Sequence, residues 1–197
     1  MAGYSSAVGR RALSGVDRLD LATVVAGAWR IVDHGGLPAL TMRALATELQ
    51  VSVGAVYNHL SGRDAVVAAL VEDAMGQVPS PRVDVGDGWR ALRAHVLGTQ
   101  AVLDRHPGLA EAFIAHAPQS QRGAELRADV VRALEAQGLG PREASRAYRS
   151  LHWLWLGSRA GLGGRPRRAD EVADFEIALD ALLDGLRRTS RPRKGSR

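Results

Sequence analysis

The chain has 197 residues, 46% of them hydrophobic, with 26 Lys or Arg against 21 Asp or Glu and no cysteine. Such a length can bury a real core and hold two small units, while the missing thiols exclude disulfides, thiolate catalysis and Cys-ligated zinc. No apolar run reaches the roughly 18 residues of a membrane span, and MAGYSSAVGRRALSG lacks a signal-peptide core, so a cytoplasmic, nucleoid-associated protein is expected.

The net charge of +5 invites a nucleic-acid reading, but most of it sits at one end. Arg187, Arg188, Arg191, Arg193, Lys194 and Arg197 meet no acid, and without them the chain is slightly acidic. Residues 1–64 hold six Lys or Arg against five Asp or Glu, so any DNA grip there rests on a few placed contacts. Residues 1–16 read as a flexible arm and 188–197 as a basic, disordered tail.

Asp17 to Asp33 has the spacing of an amphipathic helix, with Leu21, Val24, Val25, Ala28 and Val32 on one face and Gly35-Gly36 as its stop. Thr41 to Leu60, TMRALATELQVSVGAVYNHL, then reads as two short helices joined by a tight turn. That unit pushes a second helix into the DNA major groove. Thr41 caps the first helix, whose Leu45, Ala46 and Leu49 form a stripe; Ser52 caps the second, whose Val56 turns back onto Leu45 and Leu49. Val53, Gly54, Tyr57, Asn58 and His59 project outward, with tips suited to base edges, thymine methyls and phosphates. Ser61-Gly62-Arg63-Asp64 has the form of a capping box and opens a helix carrying Val67, Leu70, Val71 and Met75. Residues 17–78 thus make a compact head with its own core.

Residues 18–75, from Arg18 through Met75, resemble the TetR family of bacterial transcriptional regulators, and Tyr57, His59 and Arg63 look most like its tetracycline-repressor-like branch. The resemblance implies that Arg43 reaches the groove or its edge and that Val53, Gly54 and Ala55 face bases. It implies further that Tyr57 and His59 grip phosphate or base edges, and that Arg63 pairs with phosphate. Thr41, Ser52 and Asn58 complete the expected DNA-contacting set. The chain departs from the family in one place: Gln50 occupies a turn where Gly is usual. A non-Gly residue in a left-handed turn costs about 1 kcal/mol, which a folded head tolerates.

Prolines in Val78-Pro79-Ser80-Pro81 end the head. Residues 79–187 read as helices only: Trp89 to about Arg105, Leu109 to His116, Gln121 to Gln137, Pro141 to about Ala160, and Asp170 to Arg187. The expected fold is therefore all-α, an N-terminal three-helix helix-turn-helix head with a helical effector-binding and dimerisation domain. The helix from Pro141 is apolar all round, with Tyr148, Leu151, Trp155 and Ser158 on one side and Trp153, Leu156 and Ala160 on the other. Such a helix must be covered twice. With Phe175, Leu179, Leu182 and Leu186 of the last helix, Tyr148, Leu151 and Trp155 form the expected homodimer interface. Two recognition helices related by a two-fold axis then read a palindromic operator in double-stranded DNA.

A small organic effector is expected between these helices, against His95, Thr99, Gln100, Phe113, His116, His152 and Trp153. On the resemblance, the histidine that ligates drug-bound magnesium in the tetracycline repressor falls at Phe113, so no metal or cofactor is expected. Gly161-Leu162-Gly163-Gly164-Arg165-Pro166-Arg167-Arg168 lacks the strand and Lys-Ser/Thr of a phosphate loop and reads as a flexible connection. A ligand-released repressor is the leading reading. A DNA-binding dimer without a small-molecule effector stays open beside it. A helical enzyme has no catalytic constellation behind it: H-E-x-x-H and the nucleophile elbow are both absent.

Overall fold

The computed structural model describes residues 19–81, 87–106, 109–159, 162, 165 and 167–190. Within them the head is built from α1 (Leu21–Ala39), α2 (Met42–Glu48), α3 (Val53–Tyr57) and α4 (Arg63–Gly76). The body follows as α5 (Gly88–Arg105), α6 (Leu109–His116), α7 (Gln121–Ala136), α8 (Pro141–Gly157) and α9 (Ala169–Thr189). There is no strand among the described residues, and none of their helices is long and apolar enough to cross a membrane.

Capping chemistry sets most of the helix starts. Asp20 accepts from Thr23 N at 2.7 Å, so α1 begins after Asp20; Asp17 lies outside the described residues. Gly36, at φ 69° and ψ 176°, breaks the helix where the Gly pair predicts, and one further turn carries the chain to Leu40. Thr41 Oγ1 accepts from Ala44 N at 3.0 Å and Ser52 Oγ from Ala55 N at 3.1 Å, each cap contributing about 1 kcal/mol.

The capping box expected at Ser61 does not form. Gly62 is the N-cap of α4, and no side chain bonds there. Arg63 instead turns back toward α1, donating from Nε to Leu40 O at 2.9 Å and from Nη2 to Leu37 O at 3.0 Å. Those carbonyls end a helical turn, where a cation is favoured.

The head does not keep a core to itself. One apolar cluster runs from Val24, Ala28, Leu45 and Val56 through Val67, Leu70 and Val71 of α4 into Val102, Leu103, Leu109, Phe113 and Trp155 of the body. A second gathers Leu92, Val96, Leu134, Leu151, Phe175 and Leu179 at the far end. The expected linker is anchored too: Val78 is buried, Pro79 O accepts from His95 Nδ1 at 2.7 Å, and Ser80 Oγ accepts from Arg122 Nη2 at 3.0 Å. In the connection before α9, Arg165 and Arg168 pair with Glu171 in the first turn of α9, while Arg167 pairs with Asp104 and so ties the connection to α5. Gly161, Gly163, Gly164 and Pro166 lie outside the described residues, as does Ala160 beyond the end of α8.

Candidate nucleic-acid interface and effector cavity

The turn between α2 and α3 carries the geometry of the reading unit. Gln50 has φ 56°, the left-handed conformation that the missing Gly implies. Leu49 N donates to Leu45 O and Val51 N to Ala46 O, which closes α2 on itself. Leu45, Ala46 and Val56 are buried, so α3 presents its opposite side to solvent. Ser52, Val53, Gly54, Tyr57, Asn58 and His59 are all exposed there, with Val53 and Tyr57 among the exposed large apolar side chains of the protein. Thr41 and Arg43 are exposed beside them. Ala55 is half-buried, which weakens its expected part as a base-facing residue.

Gly54 is informative because packing does not require it. A Cβ built there would meet only Ser52 Oγ, at 3.9 Å. A glycine with open space at the exposed start of a helix lets backbone come close to a partner. Arg63 is exposed as well, but its bonds to Leu37 and Leu40 make it first a clamp between α4 and α1.

The body holds a cavity of about 420 Å³ between α5, α6, α7 and α8. His95, Thr99, Phe113 and His152 line it, as the sequence suggests. Three other expected pocket residues do not. Gln100 is buried in a polar knot, donating to Ser158 Oγ at 2.8 Å and accepting from Arg159 Nε at 2.9 Å. His116 ends α6 away from the cavity wall, and Trp153 is 66% exposed on the outer side of α8.

Helical phase explains the exchange with the expected dimer set. Tyr148, Leu151 and Trp155 share the inner face of α8 and line the cavity. Leu151, Trp155, Phe175 and Leu179 are all buried within one protomer, so none of these four is available to a second copy. Leu182 and Leu186 pack partly against the second core cluster. The side chains left outside are Trp153 of α8 and Ile177 of α9. An apolar count along α8 could not separate the two faces, because Trp occurs on both.

Burial lowers the pKa of the His95 imidazole and also that of His152, where nearby Arg127 adds to the effect. Burial raises the Tyr148 phenol. The wall is thus uncharged at these three side chains near neutral pH. Among the described residues no group of three His, Cys, Asp or Glu side chains could hold a metal ion.

Met75 joins the two regions. It lies at the end of α4 and lines the cavity, while Val66, Val67 and Leu70 earlier in α4 belong to the apolar cluster that runs through the head, and α4 packs on α1. Glu72 accepts from Arg122 N at 3.0 Å and Gln77 Oε1 from Arg105 Nη2 at 3.0 Å, so α7 and α5 both hold the same helix end.

Comparison with known proteins agrees with this architecture. The family profile of bacterial regulatory proteins of the tetR family matches residues 24–70. An HTH-type transcriptional regulator of Saccharopolyspora erythraea is 31% identical over 137 residues, which span 68% of this chain and 57% of that relative. A variant of TetR from Acinetobacter baumannii AYE, solved in complex with minocycline, superposes with a TM-score of 0.77 at 25% identity, over 88% of this chain and 99% of the other. BioQ solved with its double-stranded DNA operator gives a TM-score of 0.70 at 27% identity, over 86% and 98% of the two chains. Residues 24–70 thus carry the DNA-binding helix-turn-helix domain of bacterial regulatory proteins of the tetR family, and the whole chain shares the fold of these solved TetR and BioQ structures.

Proposed function

We propose that this protein is a dimeric repressor that holds a palindromic DNA operator and is released when a small organic molecule fills the body cavity. The observation that carries the reading is the position of α4, whose first half is built into the apolar cluster shared with the head and whose last turn, at Met75, forms cavity wall. A ligand that displaces Met75 acts on the element that sets the head's direction. Moving such an equilibrium from mostly bound to mostly free takes about 5.5 kcal/mol of differential affinity.

Contacts to DNA are assigned to Arg43, Val53, Gly54, Tyr57, Asn58 and His59, with Thr41 and Ser52 shaping the helix starts. BioQ, of the same fold, was solved on its DNA operator, which supports the head as the DNA-facing side. A variant of TetR was solved with minocycline, which supports a small-molecule role for the body. A dimer is supported by Trp153 and Ile177, left 66% and 69% exposed on α8 and α9, which pack against each other. Two such helices from each subunit bury apolar surface that one protomer leaves in water.

Random-site selection followed by gel shift tests this directly. Wild type should enrich a palindrome with half-sites about 34–36 Å apart or a multiple of that. Tyr57→Ala should lose that binding while keeping its helical circular dichroism, and Trp153→Glu should lose it together with the dimer in light scattering. No enriched palindrome, or full binding by Tyr57→Ala, would overturn the reading.

A further inference from the structure

The cavity wall has a chemical bias that its size does not convey. None of its described lining residues is Asp or Glu, whereas Arg127 and Arg149 both contribute to it. Neighbouring acids on α7 are already engaged: Glu125 with Arg122 at 3.1 Å, and Asp129 with Arg132. Among the described residues Arg127 makes no ion pair and faces the Tyr148 ring, its guanidinium carbon 5.5 Å from the centroid. Arg149 makes no ion pair among the described residues either.

Behind the arginines stands a ladder of flat side chains one helical turn apart on α8. Tyr148 and His152 lie 6.0 Å apart with planes within 15°, and His152 and Trp155 lie 5.8 Å apart with planes within 20°. Phe113 closes the ladder against Trp155 at 5.5 Å. Trp155 Nε1 is buried without a hydrogen-bond partner, an unspent donor in a cavity-lining side chain. Buried donors are rarely left so unless something else satisfies them. The Tyr148 phenol, whose pKa burial raises, is a second donor. Two cations and no carboxylate among the described lining residues therefore meet an aromatic wall.

We infer that the cavity takes a flat aromatic carboxylate, its rings lying along Tyr148, His152 and Trp155 and its anionic group meeting Arg127 and Arg149. The inference rests on the effector reading above and adds the chemical class of the effector. Charge-assisted bonds from a guanidinium to a carboxylate are short and about twice as strong as neutral ones. A neutral ligand of the same shape would gain the stacking alone.

Isothermal titration of the full-length protein with anthracene-2-carboxylate and with anthracene-2-carboxamide separates the two contributions. The acid should bind about tenfold tighter than the amide or better. In the double variant Arg127→Gln/Arg149→Gln that ratio should fall close to one, with an unchanged melting temperature. Ala124→Trp, at the rim of the cavity, should remove both probes. An amide that binds as well as the acid, or a ratio that persists in the double variant, overturns the anion assignment and leaves the cavity reading standing. Failure of both probes to bind wild type, or binding that survives Ala124→Trp, overturns the effector cavity along with it.

Discussion

The indole of Trp29 on α1 lies against the imidazole of His106, the residue that ends α5, with ring centroids 4.0 Å apart and planes tilted by 35°. Each ring is also held by a carboxylate: Trp29 Nε1 donates to Asp73 at 2.8 Å, and His106 Nδ1 donates to Asp33 at 3.0 Å. The pair thus joins head to body by a route independent of the chain that follows α4. A double-mutant cycle with Trp29→Ala and His106→Ala should show about 0.5–1.5 kcal/mol of coupling in urea unfolding. Strict additivity would mean that the ring contact contributes nothing.

At the reading turn, Gln50 sits at φ 56°, where a Cβ is unfavourable. Gln50→Gly should raise stability by up to about 1 kcal/mol, because it removes that strain at an exposed position. Gly54→Leu makes the complementary test. Its side chain meets open space in the protein, so the melting temperature should hold or rise while operator affinity falls. A gel shift that finds unaltered affinity would show that backbone at Gly54 does not approach DNA.

Asp104 serves two arginines whose side chains are nearly sealed from water, Arg159 at 2.9 Å and Arg167 at 2.8 Å. Removing the shared carboxylate leaves two buried cations facing each other. Asp104→Asn should cost about 2–3 kcal/mol in urea unfolding, less than for a fully buried partner because Asp104 is 30% exposed. A loss under about 0.5 kcal/mol would place this group among ordinary surface pairs.

The folded-state pKa values of His95 and His152 lie below the usual 6.5, chiefly through burial. As pH falls through 6.5 the unfolded chain takes up these protons before the folded one, so stability is present above that pH and lost below it. Unfolding midpoints between about pH 7.5 and about pH 5.5 should therefore drop for wild type. His152→Gln should show a shallower drop, since it retains only the His95 contribution. Parallel curves for the two proteins would mean that His152 titrates alike in both states.

Much of the head is legible in the chain because its signals are local. Thr41, Ser52 and the Gly35-Gly36 pair act within a few residues of themselves, and the structure uses each as expected. Ser61 is the exception. A capping box competes there with two carbonyls more than twenty residues back, at Leu37 and Leu40, and Arg63 takes them. No local pattern records that competition.

The body divides on the same principle. Composition and periodicity determined an all-α chain and the helix order, because caps, glycines and apolar spacing work within a turn or two, and the family resemblance added the left-handed turn at Gln50. Only the tertiary structure decided which side of each helix faces inward. It turned Tyr148, Leu151 and Trp155 toward a cavity, left Trp153 outside, and drew Gln100 into the knot with Arg159. The physical reason is that α8 is apolar on both sides. An apolar residue states that it must be covered, and which neighbour covers it depends on helices far away in the chain.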